Sequence, residues 1–215
     1  MRFDVQAVLF DVDGTLVDST AAVERTWRTW AARHDIEAST VLRVCHGRRT
    51  EDTVAQFVAE ELRAGAVAEV EDLDLHDLVD VVALPGARDL LPRLASDRWA
   101  AVTSGSRALM AARLGAAGLP VPQVLVAAED VRHGKPHPEG YLKAAAELGR
   151  DIRECLVIED APAGVEAALA AGARVLGVAT SHSAADLDGA DFVVADLASC
   201  TMTSSSDGVV LTAGS

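Results

Sequence analysis

The chain has 215 residues, half of them hydrophobic, which supports one sizeable core and a small appended unit. Its formal net charge of −14 argues against nucleic acid and anionic membrane as partners, because both require basic surface. No apolar run reaches the roughly 18 residues of a membrane span, and the first residues lack the layout of a secretion signal; with three scattered cysteines and no CxxC pair, reduced thiols and a cytoplasmic location are the expectation.

Residues 5–10 (VQAVLF) form a short apolar run ending at Asp11, the pattern of a buried strand. Residues 20–34 place Val23, Trp27, Trp30 and Ala31 at helical spacing, which predicts a helix with one apolar face. The tryptophans read as packing residues of that helix rather than as platforms for a ligand. Further helices are expected over 52–64 and about 73–82, and nothing within 15–83 reads as a strand. Leu84-Pro85-Gly86 breaks the pattern, and 87–95 reads as a helix. From there strand-like runs at 99–103, 124–127, 155–158, 175–178 and 192–194 alternate with helices expected over 106–117, 138–148 and 162–171, the last stopped by Gly172. Residues 201–203 and 209–211 flank a Ser-rich turn with Asp207-Gly208, a hairpin signal.

Strands alternating with helices imply an α/β fold, a doubly wound, Rossmann-like parallel sheet covered on both faces. The expected layout is a catalytic core of residues 1–14 and 84–215, with residues 15–83 inserted as a helical cap and a β-hairpin at the C-terminal end. Ligands of such sheets gather at the carboxyl ends of the strands. Four polar clusters follow expected core strands: Asp11-Val12-Asp13-Gly14-Thr15, Thr103-Ser104-Gly105-Ser106, Gly134-Lys135-Pro136 and Glu159-Asp160.

Asp11 and Asp13 are two residues apart, so an extended backbone sends both side chains the same way. Glu159 and Asp160 add two more carboxylates. Like charges about 4 Å apart repel by about 4 kcal/mol per pair at an effective dielectric near 20, so the cluster calls for a cation. An all-oxygen ligand set favours Mg²⁺ over Zn²⁺. An ionised aspartate beside Mg²⁺ can attack phosphorus, and a second can protonate the leaving alkoxide and then take a proton from water. Ser104, the Gly105 amide and Lys135 would hold the phosphoryl oxygens. Lysine is scarce here, with only Lys135 and Lys143 in the whole chain. Ser104 and Ser106, and likewise Glu159 and Asp160, also suit the caps of the helices that follow them, a role compatible with binding phosphate or metal.

FDVDGTLVDS, VTSGS, GKPHPEGY and VIEDAPAGVEAALAAG resemble, in order, the four signature motifs of the haloacid-dehalogenase-like hydrolases. With TWRTWAARH, CHGRR and the terminal DGVVL, the whole chain is similar to bacterial sugar and sugar-alcohol phosphatases of that superfamily. The resemblance implies a phosphoric monoester hydrolase with Asp11 as nucleophile and metal ligand. It implies Asp13 as acid/base, with its backbone carbonyl on Mg²⁺. Asp160 would ligate the metal directly and Glu159 through water, while Ser104 and Lys135 would bind phosphate. The implied partner is a small phosphorylated metabolite.

The cap is less legible. His46, Arg48 and Arg49 lie in a turn between helices and either reach the crevice, to meet substrate hydroxyls or a second anion, or form an exposed basic turn. His133 and His137 read as surface residues around Lys135. Within the family, Asp13 argues against a dehalogenase, and the lack of any lysine before Lys135 argues against a Schiff-base phosphonate hydrolase. A sugar-phosphate mutase stays open, because its core motifs are the same and Arg48 with Arg49 would suit a second phosphate. A non-catalytic phosphate-binding module is the remaining alternative, opposed by the completeness of the motifs.

Overall fold

Short apolar runs build the centre of this molecule, and a computed structural model describes residues 1–214 of it. The run expected as one strand over 5–10 is two strands, β1 (Arg2–Val5) and β2 (Ala7–Phe10), parted at Gln6. β1 alternates exposed and buried residues, whereas all four residues of β2 are buried. One strand has a wet face and the other lies between two covered faces.

β3 (Val17–Asp18) is followed by α1 (Thr20–Arg33), α2 (Ala38–Leu42), α3 (Thr50–Val54), α4 (Arg63–His76) and β4 (Val82–Ala83). β3 and β4 pair antiparallel at the base of the helical segment. This corrects the expectation that 15–83 holds no strand: two residues are too few for alternation to show. The helices expected over 52–64 and 73–82 are also displaced. α3 stops at Val54, and the guanidinium of Arg63, the first residue of α4, donates to the carbonyls of Ala55 at 3.2 Å and Val58 at 3.0 Å. Those carbonyls lie just past a helix end and gain the partners they would otherwise lack. Trp27 and Trp30 meet edge to face at 5.4 Å and share an apolar cluster with Val41, Val54 and Val70. The indole of Trp30 donates to the carbonyl of Ala66.

The chain continues through α5 (Ala87–Leu90), β5 (Trp99–Val102), α6 (Arg107–Ala116), β6 (Leu125–Val126), α7 (Glu139–Glu147), β7 (Cys155–Glu159), α8 (Pro162–Ala171), β8 (Arg174–Val178), β9 (Phe192–Val194), β10 (Cys200–Ser205) and β11 (Gly208–Ala213). The helix expected over 87–95 tightens into a 3-10 turn at Leu91–Arg93, where Pro92 lacks the N–H an α-helix needs. Six strands form a parallel sheet in the order β6-β5-β2-β7-β8-β9. β2 is central, and the chain builds outward first on one side and then on the other. The order therefore reverses at β2, and a crevice opens at the carboxyl ends there.

Alternation along β2 serves both faces. Val8 and Phe10 join Met110 and Leu114 of α6, while Ala7 and Leu9 join Tyr141 and Ala144 of α7 and Val165 of α8. The expected hairpin forms from β10 and β11, and β1 adds to it as a three-stranded antiparallel sheet. Phe3, Met202 and Leu211 carry its apolar side into the same cluster as Phe10. Cys45, Cys155 and Cys200 are buried and free. Among the described residues no helix is long and apolar enough to cross a membrane.

Candidate active site

Asp11 follows β2, Thr103 to Gly105 follow β5, and Asp160 follows β7, so three neighbouring strands deliver their end residues to one place. The resulting cleft has about 100 Å³ of free volume. Asp11, Asp13, Ser104, Gly105 and Asp160 all line it, and the turn after α2 brings His46 and Arg48 to its other side.

Carboxyl oxygens of Asp11, Glu159 and Asp160 lie within 4.8 Å of one another, and all three residues are buried. Burial pushes the Asp11 carboxyl well above its ordinary value; Lys135 opposes the shift, and Glu159 and Asp160 add to it. Burial and then Glu159 push Asp160 up to about 7, against the pull of Ser181, Thr15 and Lys135. Asp160 is held on both sides, by the Thr15 hydroxyl at 3.0 Å and by the Ser181 hydroxyl. Gly14 makes room for it: a Cβ there would lie 2.0 Å from Asp160 Oδ2, and the backbone is left-handed at φ +90°.

Lys135 is the counter-charge. Its ammonium donates to Asp11 Oδ1, to Glu159 Oε1 at 2.5 Å and to the carbonyl of Val102 at 3.3 Å. Burial alone would lower its pKa, but the attraction of Asp11 and Glu159 wins and raises it well above the lysine value. Glu159 is saturated with donors. Oε1 also accepts from the Tyr141 hydroxyl at 2.7 Å, and Oε2 from the amides of Asp160 and Ala161. Three clustered carboxylates therefore face one ammonium away from water, with hard oxygen ligands only. That donor set and its residual negative charge fit a divalent cation.

Asp13 is engaged differently. Its Oδ1 accepts from the Ser19 hydroxyl at 2.7 Å and its Oδ2 from Arg113 Nη1 at 2.8 Å. The Ser104 hydroxyl donates to the carbonyl of Gly47 at 3.0 Å, so this motif touches the turn that carries His46 and Arg48. The Gly105 amide donates to Thr103 Oγ1 at 3.1 Å. Burial lowers the pKa of His46, and His182 across the cleft lowers it further. Arg49 does not line the cleft with its neighbours. It pairs with Asp52, donates to the carbonyl of Arg132 and packs against Gly134, beside Lys135. His133 and His137 are exposed, as expected of surface residues.

Several contributors escaped the sequence reading. Ser181 and His182 follow β8, a strand whose carboxyl end the strand-end rule would also have flagged. Tyr141 is the chain's single tyrosine. Arg113 interrupts the apolar stripe of α6 between Met110 and Leu114, and a buried charge on such a stripe demands a partner.

Comparison with known proteins gives the chain a family. The family model for haloacid dehalogenase-like hydrolases matches residues 5–172. Hexitol phosphatase A of Escherichia coli is 43% identical over 208 residues, covering 94% of this chain and 96% of that protein. Glycerol-1-phosphate phosphohydrolase 2 of Saccharomyces cerevisiae is 36% identical over 211 residues, covering 90% and 83%. The crystal structure of a hydrolase from Pseudomonas syringae superposes with a TM-score of 0.82 at 27% identity, covering 90% and 94%. By motif, fold and similarity along nearly its whole length, the chain belongs to the haloacid dehalogenase-like hydrolases.

Proposed function

We propose that this chain is a Mg²⁺-dependent phosphatase of small phosphate monoesters, sugar and polyol phosphates foremost, acting in the cytoplasm through an aspartyl-phosphate on Asp11. The observation that carries the reading is the buried Asp11–Lys135–Glu159–Asp160 cluster, whose Asp11 and Asp160 line the same cleft as Asp13 and Ser104. Relatives that act on hexitol phosphates and on glycerol 1-phosphate support the substrate class.

In this mechanism Asp11, Asp160 and the backbone carbonyl of Asp13 would hold the Mg²⁺, with Glu159 acting through water. When bound, the ion offsets charge on the carboxylates and on the phosphoryl oxygens. Lys135 and Ser104 hold the phosphoryl group in line with Asp11. A carboxylate oxygen of Asp11 forms a bond to phosphorus as the ester P–O bond breaks, and the leaving oxygen takes its electron pair and a proton from Asp13. Asp13 then takes a proton from water as that water attacks phosphorus, which frees Asp11 and inorganic phosphate. Glu159 keeps Lys135 in place, and Tyr141 keeps Glu159 in place. Residues 15–83 act as the cap over a core of 1–14 and 84–215, with His46 and Arg48 facing the substrate's hydroxyls. Closure of such a cap excludes water and suits small soluble substrates.

A mutase is disfavoured by the similarity to phosphatases and by Arg49, which Asp52 engages outside the cleft, so the Arg48/Arg49 pair does not offer a joint site for a second phosphate. The test is a panel of hexitol, pentose and glycerol phosphates with Mg²⁺, following phosphate release and isomerised product together. Phosphate release with no isomer is expected; isomerisation without release overturns the assignment. Asp11→Asn should fold normally and lose at least about 10³-fold in turnover, as removal of a covalent nucleophile does.

A further inference from the structure

Arg113 is buried on α6, with its side chain 3% exposed. Its guanidinium serves two carboxylates from different parts of the chain: Nη1 donates to Asp13 Oδ2 at 2.8 Å, and Nη2 to Asp74 Oδ1 at 3.2 Å. Asp74 belongs to α4, in the helical segment, whereas Asp13 sits on the loop that carries Asp11. The third donor group of the guanidinium, Nε, is buried without a partner.

Two carboxylates therefore share one buried guanidinium, which leaves an uncompensated negative charge beside it. The group becomes neutral when either carboxylate departs. Asp13 is the freer of the two, with its side chain 28% exposed against 10% for Asp74. In its present position both Asp13 oxygens accept hydrogen bonds, one from Ser19 and one from Arg113, so the carboxylate is tethered on both sides. The orphan Nε lies on the same edge of the guanidinium as Nη2, which Asp74 already touches. Asp74 can close onto that edge as a bidentate pair, the strongest arrangement an arginine and a carboxylate form.

We propose that Arg113 is a positioning residue that parks Asp13, and that Asp74 takes over its guanidinium when Asp13 turns to the leaving oxygen. The inference rests on the phosphatase reading above and deepens it by joining the acid/base to the cap helix. Arg113 acts through Asp13 and not on the phosphate.

The experiment compares kcat/KM for a hexitol phosphate with kcat/KM for p-nitrophenyl phosphate. Breaking the ester bond of the hexitol phosphate leaves an alkoxide that needs the proton of Asp13, whereas nitrophenolate departs without one. Asp74→Asn keeps the shape of the site and removes the competing charge, so Arg113 holds Asp13 harder. The loss for the hexitol phosphate should exceed that for p-nitrophenyl phosphate by about ten-fold, within the range that general-acid catalysis supplies. Removing the guanidinium as well, in Arg113→Gln/Asp74→Asn, should bring the ratio of the two substrates back towards wild type. Equal proportional losses on both substrates in Asp74→Asn, or no loss on either, overturn the inference; so does a folded double variant with a ratio worse than the single. If the double variant fails to fold, Asp74→Asn alone decides. Asp11→Asn, run in parallel, separates the two claims: its inactivity keeps the phosphatase reading whatever Asp74→Asn does, and wild-type turnover by it overturns that reading instead.

Discussion

Glu159 shows how far a single side chain reaches in this site. It has no exposure, accepts from Lys135, Tyr141 and two amides, and fits only because residue 164 is glycine. A Cβ on Gly164 would lie 1.7 Å from Glu159 Oε1, far inside contact distance. Gly164→Ala must therefore move Glu159, and Lys135 with it. The expected cost is about 1–3 kcal/mol, the usual range for overpacking a tight interior, together with slower phosphate release. A thermal melt and a rate measurement check this, and wild-type values for both would mean that the carboxylate has room to move. At this scale the sequence was most readable where chemistry sits next to a strand end. Asp11 and Asp160 each follow a strand directly and Ser104 comes one residue later, and a strand is recognisable from its own apolar run. Arg113 and Tyr141 were not legible, because their partners Asp13 and Glu159 are 100 and 18 residues away and nothing local records the pairing.

Elements were legible in proportion to their length and regularity. α1 stands where it was expected because its tryptophans mark a helical face over several turns. α3 and α4 were misplaced because the link between them is settled by tertiary hydrogen bonds from Arg63, which leave no periodic trace. The turn after α2 illustrates the same limit: His46, Arg48 and Arg49 read as one basic group, yet Arg48 lines the cleft and Arg49 braces the loop before Lys135. Their variants should differ in kind. Arg48→Ala should change the preference between hexitol and glycerol phosphates by about ten-fold, the worth of about one lost charge-assisted contact. Arg49→Ala should slow all substrates alike, because it loosens the turn and the Lys135 loop together. Kinetics on both substrates decide, and the reverse pattern would exchange the two roles.

Across the whole molecule, the buried acidic cluster ties stability to pH. Asp160 titrates at about 7 in the folded protein without a cation, against 3.8 when unperturbed. Between those values the folded state binds more protons than the unfolded state, so this group's contribution to stability falls as pH rises through the window. In EDTA the melting midpoint should be lower at about pH 8 than at about pH 6, and saturating Mg²⁺ should shrink the difference, since it binds the ionised form that the proton otherwise suppresses. EDTA should also stop turnover and Mg²⁺ restore it; full activity in a chelated sample would refute the metal requirement. The strand pairings have a consequence for how the chain becomes folded at all. Val8 of β2 pairs with Trp99 and Leu156, and Arg2 of β1 with Thr212, so the first strands synthesised wait for some of the last. α1 to α4, by contrast, bury their cluster with residues close by in sequence and can collapse as they emerge. During synthesis the Ala7–Phe10 strand is thus an unpaired apolar edge for longer than most of the chain, and the segment that leads into Asp11 is also the one most exposed to mispairing.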